Sequence, residues 1–488
     1  VFSEGFVKIL KRLGVVALLL VFFAYGAYLG RHELTRMQEQ LPSFTAAAGE
    51  TQQVRIEMQD GVKLFTSVML PEGEGPFPSV LLRNPYARFT PIMRDTLCGR
   101  FIRYGYACVL QDVRGQGESE GEWSPMVNEV RDGRDTISWL VEQPFQDGNI
   151  AMVGPSYLAS VQYAVAASGL PSEVKTLVPA VYTTDLSTIL YSNGMFRHET
   201  FTAWASMMRG SNSEADDAGG DYHKAIRHLP HNKVDTAVFG LPMPWYQDMI
   251  DIERAKNTLF DNPDARLMNQ VPENIDVPIL MVSGWYDVFF GGQMADWERL
   301  ATRSSSRFVL GPWTHAGASG EAFEIENAQG GLFQWKEMLP WLDHHLKGQP
   351  LTNPPGLYTF TMGENEWHLY EEWPGPTVSK NFSLNNLPDS PSCDGGKLAF
   401  EKDSSEPVSY LYDPLDPVPT MGGAGMLAFI LPGFEGAAPA NVLQEGLCNR
   451  ADVLSFVTPP LDASLLIAGE IRVNLEIASS APDTAFTA

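Results

Sequence analysis

At 488 residues, 44% of them hydrophobic and 19% charged, the chain has the length of about three domains and the apolar content to fill their cores, which excludes a disordered polymer. Its 59 acidic against 34 basic residues, a net charge of −25, exclude a nucleic-acid backbone or an anionic membrane surface as the main partner. Four cysteines without a C-x-x-C spacing exclude a disulfide-dense scaffold and a Cys-rich zinc or iron–sulfur site.

In chain order, Lys8, Lys11 and Arg12 precede an uncharged, mostly apolar run over 14–30. Basic residues before an apolar stretch form the pattern of an export signal or an N-terminal anchor. The bulk of the chain is therefore expected outside the cytoplasm, periplasmic or extracellular, with the N-terminal segment as an anchor or as a signal cleaved near Ala24-Tyr25-Gly26. Residues 31–50 are polar and Ala-rich and read as a tether, which makes 1–50 a unit of its own.

Two strand-like runs, 54–58 and 62–70, flank the hairpin signal Asp60-Gly61. Short apolar runs then recur at 79–83, 107–112, 150–154, 174–179, 277–283 and 308–311, with helix-like stretches such as 131–142 and 157–168 between them. Strand alternating with helix predicts a mostly parallel sheet covered on both faces. The alternation pauses over 190–274, where helical spacing and large apolar groups, among them Trp204 and Trp245, predict an inserted helical cap. The core thus spans 51–189 and 275–350, and 351–488 reads as an all-β region with strands near 357–361, 408–411 and 471–477. The chain stops soon after the last of these, so the β-region is expected to be incomplete.

In Gly154-Pro155-Ser156-Tyr157 a buried strand runs into Gly-x-Ser and directly into a helix, the context of a nucleophile elbow. The turn lifts the serine hydroxyl off the sheet, and the helix N-terminus faces the developing oxyanion. A serine nucleophile needs a base, and the base an orienting acid. The strand at 277–283 leads into Gly284-Trp285-Tyr286-Asp287, and the strand at 307–310 into Gly311-Pro312-Trp313-Thr314-His315. Serine, aspartate and histidine thus follow successive strand ends in the α/β-hydrolase order. Gly115-x-Gly117 fails as a phosphate cradle, because Glu118, Glu120 and Glu122 would repel the anion and no Gly-Lys-Ser/Thr follows. His223, His228 and His231 fit no strong metal-ligand spacing. For the cysteines, a bridge between Cys393 and Cys448 and free buried thiols both stay open, with Cys98 and Cys108 the less favoured pair.

Taken together, Arg83-Asn84-Pro85-Tyr86, the Asp112–Gly121 stretch DVRGQGESEG, Gly154-Pro155-Ser156-Tyr157, Gly284-Trp285-Tyr286-Asp287, Gly311-Pro312-Trp313-Thr314-His315 and Tyr412-Asp413-Pro414 resemble the cocaine-esterase-like (CocE/NonD) hydrolases. That family groups with X-Pro dipeptidyl-peptidases and α-amino-acid ester hydrolases, and the likeness covers roughly residues 50–488. The resemblance implies an α/β-hydrolase fold with a helical cap, followed by a jelly roll that looks truncated. It implies Ser156 as nucleophile, His315 as general base and acid, Asp287 as orienting carboxylate, and an oxyanion hole from the Tyr86 hydroxyl and the Tyr157 backbone N–H. This sequence departs from the family pattern at Ala159 and Ala485, where Gly and Asp are usual.

Relatives that hold an α-amino acyl group carry acids shortly after the triad aspartate, where this chain has Val288, Phe289 and Phe290. An aromatic wall suits a neutral apolar acyl group, with Phe289 as lining residue and Trp204 and Trp245 added from the cap. The expected function is a serine esterase acting on a small-molecule ester without metal or organic cofactor. An X-Pro dipeptidyl-peptidase or amide acylase on the same triad is the alternative.

Overall fold

The computed structural model describes residues 30–209, 218–260, 263–320, 322, 325–326, 328, 330–331, 333–387, 395–401, 407–430, 439–444 and 446–487. The apolar run read as a signal or anchor, up to residue 29, and Cys393 lie outside the described residues. Among the described residues no helix is long and apolar enough to cross a membrane.

The chain enters the fold through a short helix, Arg31–Gln38, with His32 buried and Leu41 in the main apolar core, so this segment packs on the core and is not the tether expected from its polar composition; a hairpin follows. Strand β1 (Ala48–Glu57) pairs antiparallel with β2 (Lys63–Pro71), turning through Asp60 and Gly61, whose φ of +83° favours glycine. Next come β3 (Phe77–Asn84), β4 (Ala107–Asp112), β5 (Gln146–Pro155) and β6 (Val174–Ala180). A two-residue ribbon, β7 (Tyr191–Ser192) with β8 (Met195–Phe196), opens the cap, and β9 (Leu280–Tyr286), β10 (Arg307–Thr314), β11 (Gly356–Thr361) and β12 (Glu366–Tyr370) complete the sheet. Its order is β1-β2-β4-β3-β5-β6-β9-β10-β11-β12, and every pairing from β4 to β11 is parallel. All six residues of β4 are buried, as are all eight of β10, which is why these strands read as continuous apolar runs instead of alternating ones.

Helices α1 (Glu129–Val141) and α2 (Tyr157–Ala167) link β4 to β5 and β5 to β6. The order reverses at β3, with β4 on one side and β5 on the other, so the C-terminal ends of β3 and β5 border the crevice where open α/β sheets bind ligands. The described residues of 198–274 are mainly helical, including α3 (His198–Met208), α4 (Pro244–Ile250) and α5 (Pro263–Asn269). They close over a small core of their own that contains Ala205, Val234, Phe239, Met243 and Tyr246. Helices α6 (Phe290–Arg299) and α7 (Trp335–Lys347) follow β9 and β10.

Two compact units emerge, one of residues up to Trp367 with Gly422–Asn441, the other of His368–Met421 with Val442–Ala488. The described strands of the second unit beyond β12 form a three-stranded sheet, β13 (Ser383–Asn385), β14 (Gly396–Ala399) and β15 (Phe456–Val457). Three sequence expectations are corrected here. The strand near 357–361 pairs in parallel with β10 of the large sheet, because α7 ends at Gly348 in a left-handed turn and returns the chain to that edge. The runs at 408–411 and 471–477 carry β-type residues yet form no strand, and Leu411, Ile471 and Ile477 are 85%, 74% and 60% exposed. Propensity without a ladder partner does not make a strand. Cys98 and Cys108 form a disulfide, because the chain doubles back at Gly105 and brings their Cα atoms to 5.3 Å, both residues fully buried. Cys448 is also disulfide-bonded.

Candidate active site

The strand-to-helix turn after β5 holds Ser156 at φ 55°, ψ −126°, a strained conformation for a residue with a side chain. Neighbouring backbone fixes it there. Ser156 N–H donates to the Ala180 carbonyl at 2.9 Å, tying the turn to the end of β6, and its own carbonyl accepts from Ala159 and Ser160 as α2 begins. Gly154 is required two residues earlier, since a Cβ there would run into Leu158. Ala159 is fully buried, so the departure from the usual glycine is accommodated in the packing of α2.

Asp287 follows β9 and His315 follows β10, adjacent parallel strands. His315 Nδ1 donates to Asp287 Oδ2 at 2.6 Å, while Oδ1 accepts from Phe289 N–H at 2.8 Å. The two side chains are almost completely buried. A carboxylate on Nδ1 fixes the tautomer in which Nε2 is the proton acceptor. Gly284 and Gly311 admit this arrangement, because a Cβ at either would strike Trp313.

Tyr86 lies just past the end of β3, the strand beside β5. Burial pushes its phenol above the ordinary value, and three groups bear on the hydroxyl from the other direction: the Ser156 side chain, the Trp204 side chain and the backbone N–H of Tyr157. The sequence-predicted nucleophile and both oxyanion donors are thus brought together. Buried polar contacts hold the Tyr86 backbone. Asn84 accepts from Tyr86 N–H at 3.0 Å, donates to Tyr86 O at 3.0 Å and to Thr90 Oγ1 at 2.9 Å, and Thr90 donates to Asp112 Oδ1 at 2.6 Å. The Gly115-x-Gly117 stretch is a structural turn about Asp112, where a Cβ on Gly117 would strike the carboxylate. Burial raises the Asp112 carboxyl to about 6, opposed by the Thr90 hydrogen bond.

Phe289 is 5% exposed, and its ring meets the His315 ring edge-on at 5.4 Å. The Tyr182 ring lies 5.5 Å on its other side. Trp204 stacks on Tyr157 at 6.3 Å with 21° between planes, and Trp245 packs edge-on to Trp204 at 5.4 Å, one layer further from the catalytic groups. Phe290 instead packs on Trp285 at 5.1 Å.

Four participants were not singled out for the site from sequence. Trp123 completes the aromatic cluster, 5.6 Å from Trp204 and 5.4 Å from Trp245. Tyr182 follows β6, and Arg197 carries a cation close enough to Asp287 for the carboxylate to oppose the effect of its burial. Glu129, on α1, accepts from the Tyr157 hydroxyl at 2.9 Å and pairs with Arg83 at 2.9 Å, both charged side chains being nearly fully buried. The position of Arg83 in Arg83-Asn84-Pro85-Tyr86 was the one available signal for that pair. In the cap, His198 Nε2 and His231 Nδ1 hydrogen-bond each other at 3.1 Å.

Known proteins resemble this chain in sequence and in fold. The family model described as X-Pro dipeptidyl-peptidase (S15 family) matches residues 60–317, and that of the X-Pro dipeptidyl-peptidase C-terminal non-catalytic domain matches 351–488. A cocaine esterase from Rhodococcus sp. (strain MB1 Bresler) is 30% identical over 471 residues, 89% of this chain and 79% of that protein. Among solved structures, an aminopeptidase from a marine sediment Thaumarchaeota archaeon is 26% identical with a TM-score of 0.56, covering 78% of this chain and 67% of that one. An α-amino acid ester hydrolase shares the fold with a TM-score of 0.65 at 24% identity, over 86% of this chain and 74% of the other.

Proposed function

The chain belongs to the X-Pro dipeptidyl-peptidase (S15) family, and on that premise we propose that it is a serine carboxylic-ester hydrolase working through an acyl-enzyme on Ser156. The observation that carries this reading is the strained strand-to-helix turn that holds Ser156 after β5, together with the buried His315 Nδ1–Asp287 Oδ2 hydrogen bond at the ends of the adjacent parallel strands β9 and β10. Ser156 Oγ attacks the ester carbonyl as its proton passes to His315 Nε2. Tyr157 N–H and the Tyr86 hydroxyl receive the oxyanion. Collapse expels the alcohol, which takes the proton from His315. Water then attacks the acyl-enzyme, giving its proton to the same nitrogen, and the carboxylic acid leaves as Ser156 is restored.

The acyl group in this reading is neutral and apolar. Phe289 lines the wall beside His315, and Arg197 adds positive charge near Asp287, which would repel a substrate ammonium. The cap acids that could supply a counter-charge are engaged elsewhere. Asp185 accepts from Ser187, Glu199 from Met426 N–H, and Asp248 pairs with Arg254. A relative named as an aminopeptidase keeps an X-Pro dipeptidyl-peptidase or amide acylase as the second reading. Hydrolysis rates on acetyl, benzoyl and alanyl esters and on a Gly-Pro anilide separate the two, since the first reading expects the neutral esters to lead and the second the Gly-Pro amide.

We also propose that the chain works outside the cytoplasm, periplasmic or extracellular, held or delivered by its N-terminal segment, and that the second compact unit, His368–Met421 with Val442–Ala488, is a jelly-roll module. The basic-then-apolar pattern up to residue 30 and the disulfide-bonded state of Cys98, Cys108 and Cys448 support the first. Fractionation of cells expressing the chain, with non-reducing thiol alkylation, tests it.

A further inference from the structure

A cavity lies one helical turn along from Ser156, lined by Ser160 and Ala164 of α2. It measures about 310 Å³ and is bounded by Met126 and Val130 from the loop before and the first turn of α1, Ser160 and Ala164 from α2, and Ala265 and Met268 from α5. Apart from Ser160 and Thr258 its lining side chains are apolar, and none is charged, while hydroxyl and backbone groups leave part of the wall polar. None of its lining residues takes part in the triad, the oxyanion hole or the aromatic cluster.

Tyr182 stands between the cavity and the catalytic groups. Its ring lies 5.5 Å from that of Phe289, which in turn packs on His315. Its hydroxyl neighbours Ser160 and lies 3.8 Å from the Met126 sulfur, both of them lining the cavity. The second half of the partition is Tyr157, whose hydroxyl accepts from Met126 N–H at 2.7 Å. The Met126 thioether thus packs against the Tyr182 hydroxyl at the border of the cavity. A methionine side chain has three rotatable bonds and yields readily, and here it hangs from a backbone held at a φ of 66°, in the left-handed region.

We propose that this cavity receives a linear alkyl chain of the ester, threaded past Tyr182 and Met126, so that the enzyme turns over medium-chain esters in preference to short ones. The inference deepens the esterase reading and rests on it. An apolar cavity of about 150 Å³ admits benzene. Twice that volume suits a flexible chain of about eight to ten carbons. Mostly apolar, uncharged side chains offer such a chain burial and offer an ion no counter-charge, which disfavours an ionic occupant.

The test measures kcat/KM for p-nitrophenyl acetate, butanoate, octanoate and decanoate in one arm, and for alkyl acetates of matching length in the other. A rise of about tenfold or more from the shortest to the octyl member in either arm is expected, since each methylene buried in an apolar pocket is discriminated by roughly tenfold or more at best. The arm that rises identifies whether the acyl or the alcohol chain enters. Filling the cavity from opposite walls, with Ala164→Met or Ala265→Phe, should collapse the octyl-to-acetyl ratio, and Met268→Ala should move the optimum to a longer chain. Flat profiles in both arms, or ratios untouched by all three substitutions, overturn the proposal. Acetate turnover that persists with a flat profile refutes the chain site alone, whereas absence of ester turnover on every substrate refutes the esterase reading beneath it.

Discussion

The Tyr157 hydroxyl donates to Glu129 Oε1 at 2.9 Å, so the residue proposed to offer its backbone N–H to the oxyanion is anchored at its far end to a buried carboxylate. That carboxylate is paired with Arg83 at 2.9 Å in surroundings that exclude water. Burial raises the Glu129 carboxyl above its usual range, with the Arg83 charge as the main opposing influence. Glu129→Gln keeps an acceptor for Tyr157 and leaves Arg83 buried without a counter-charge. Breaking a buried pair in this way costs about 3–5 kcal/mol. Urea unfolding should register that loss. Arg83→Met with Glu129→Gln should recover much of it, because no lone charge then remains. As positioning residues, the pair should affect kcat more than KM.

Tyr86→Phe deletes one oxyanion donor with little change in volume. A fall in kcat on the order of 10²–10³ is expected, with KM nearly constant. Steady-state kinetics on a neutral ester decides it. An unchanged kcat with a raised KM would make Tyr86 a wall of the pocket only.

Asp112 links stability to pH. Its folded pKa, raised to about 6, exceeds the ordinary aspartate value, so the folded state keeps a proton that the unfolded chain releases. This group's contribution is therefore present at low pH and is lost as pH rises from about 4 to about 6. His32, lowered to about 4 mainly by burial, contributes with the opposite slope, its stabilisation being lost as pH falls from about 6.5 to about 4. The difference between wild type and Asp112→Asn isolates the first effect. The Tm difference between the two proteins should change between pH 4 and pH 6 in the variant's favour.

Specificity should follow charge. Esters with neutral acyl groups are expected to exceed matched α-amino acyl esters in kcat/KM by about tenfold or more at neutral pH, since the desolvation cost of an ion outweighs a cation–π return of roughly 0.5–2 kcal/mol. Arg197→Gln removes the cation beside Asp287 and should narrow the gap. A wild-type preference for aminoacyl esters would move the assignment to the peptidase reading.

The strand ends that carry the candidate triad were legible because each closes a buried apolar run with glycine and turn residues. That is a local signal, visible at Gly154-Pro155-Ser156, Gly284 to Asp287 and Gly311 to His315. Tyr182, Trp123, Arg197 and Glu129 were not legible as site residues, since their roles arise only when β6, the loop after Gly121, the start of α3 and α1 meet around α2. The same distinction explains the strands misjudged at 408–411 and 471–477. Their side chains favour extended backbone, but a strand is a pairing, and no partner among the described residues is beside them. The Cys98–Cys108 bridge was obscured for a similar reason, as a separation of ten residues reveals nothing about the reversal at Gly105.

The most direct test of the acyl-enzyme is turnover of a p-nitrophenyl ester by wild type, Ser156→Ala and His315→Ala, with intact-mass analysis of the protein quenched during turnover. Members of a triad act as a unit, so each variant should lose about 10⁴-fold or more in kcat while unfolding at the wild-type temperature. Wild type should carry the mass of one acyl group, and Ser156→Ala none. Most of the activity surviving in Ser156→Ala, or an acyl mass that persists there, would contradict Ser156 as the nucleophile.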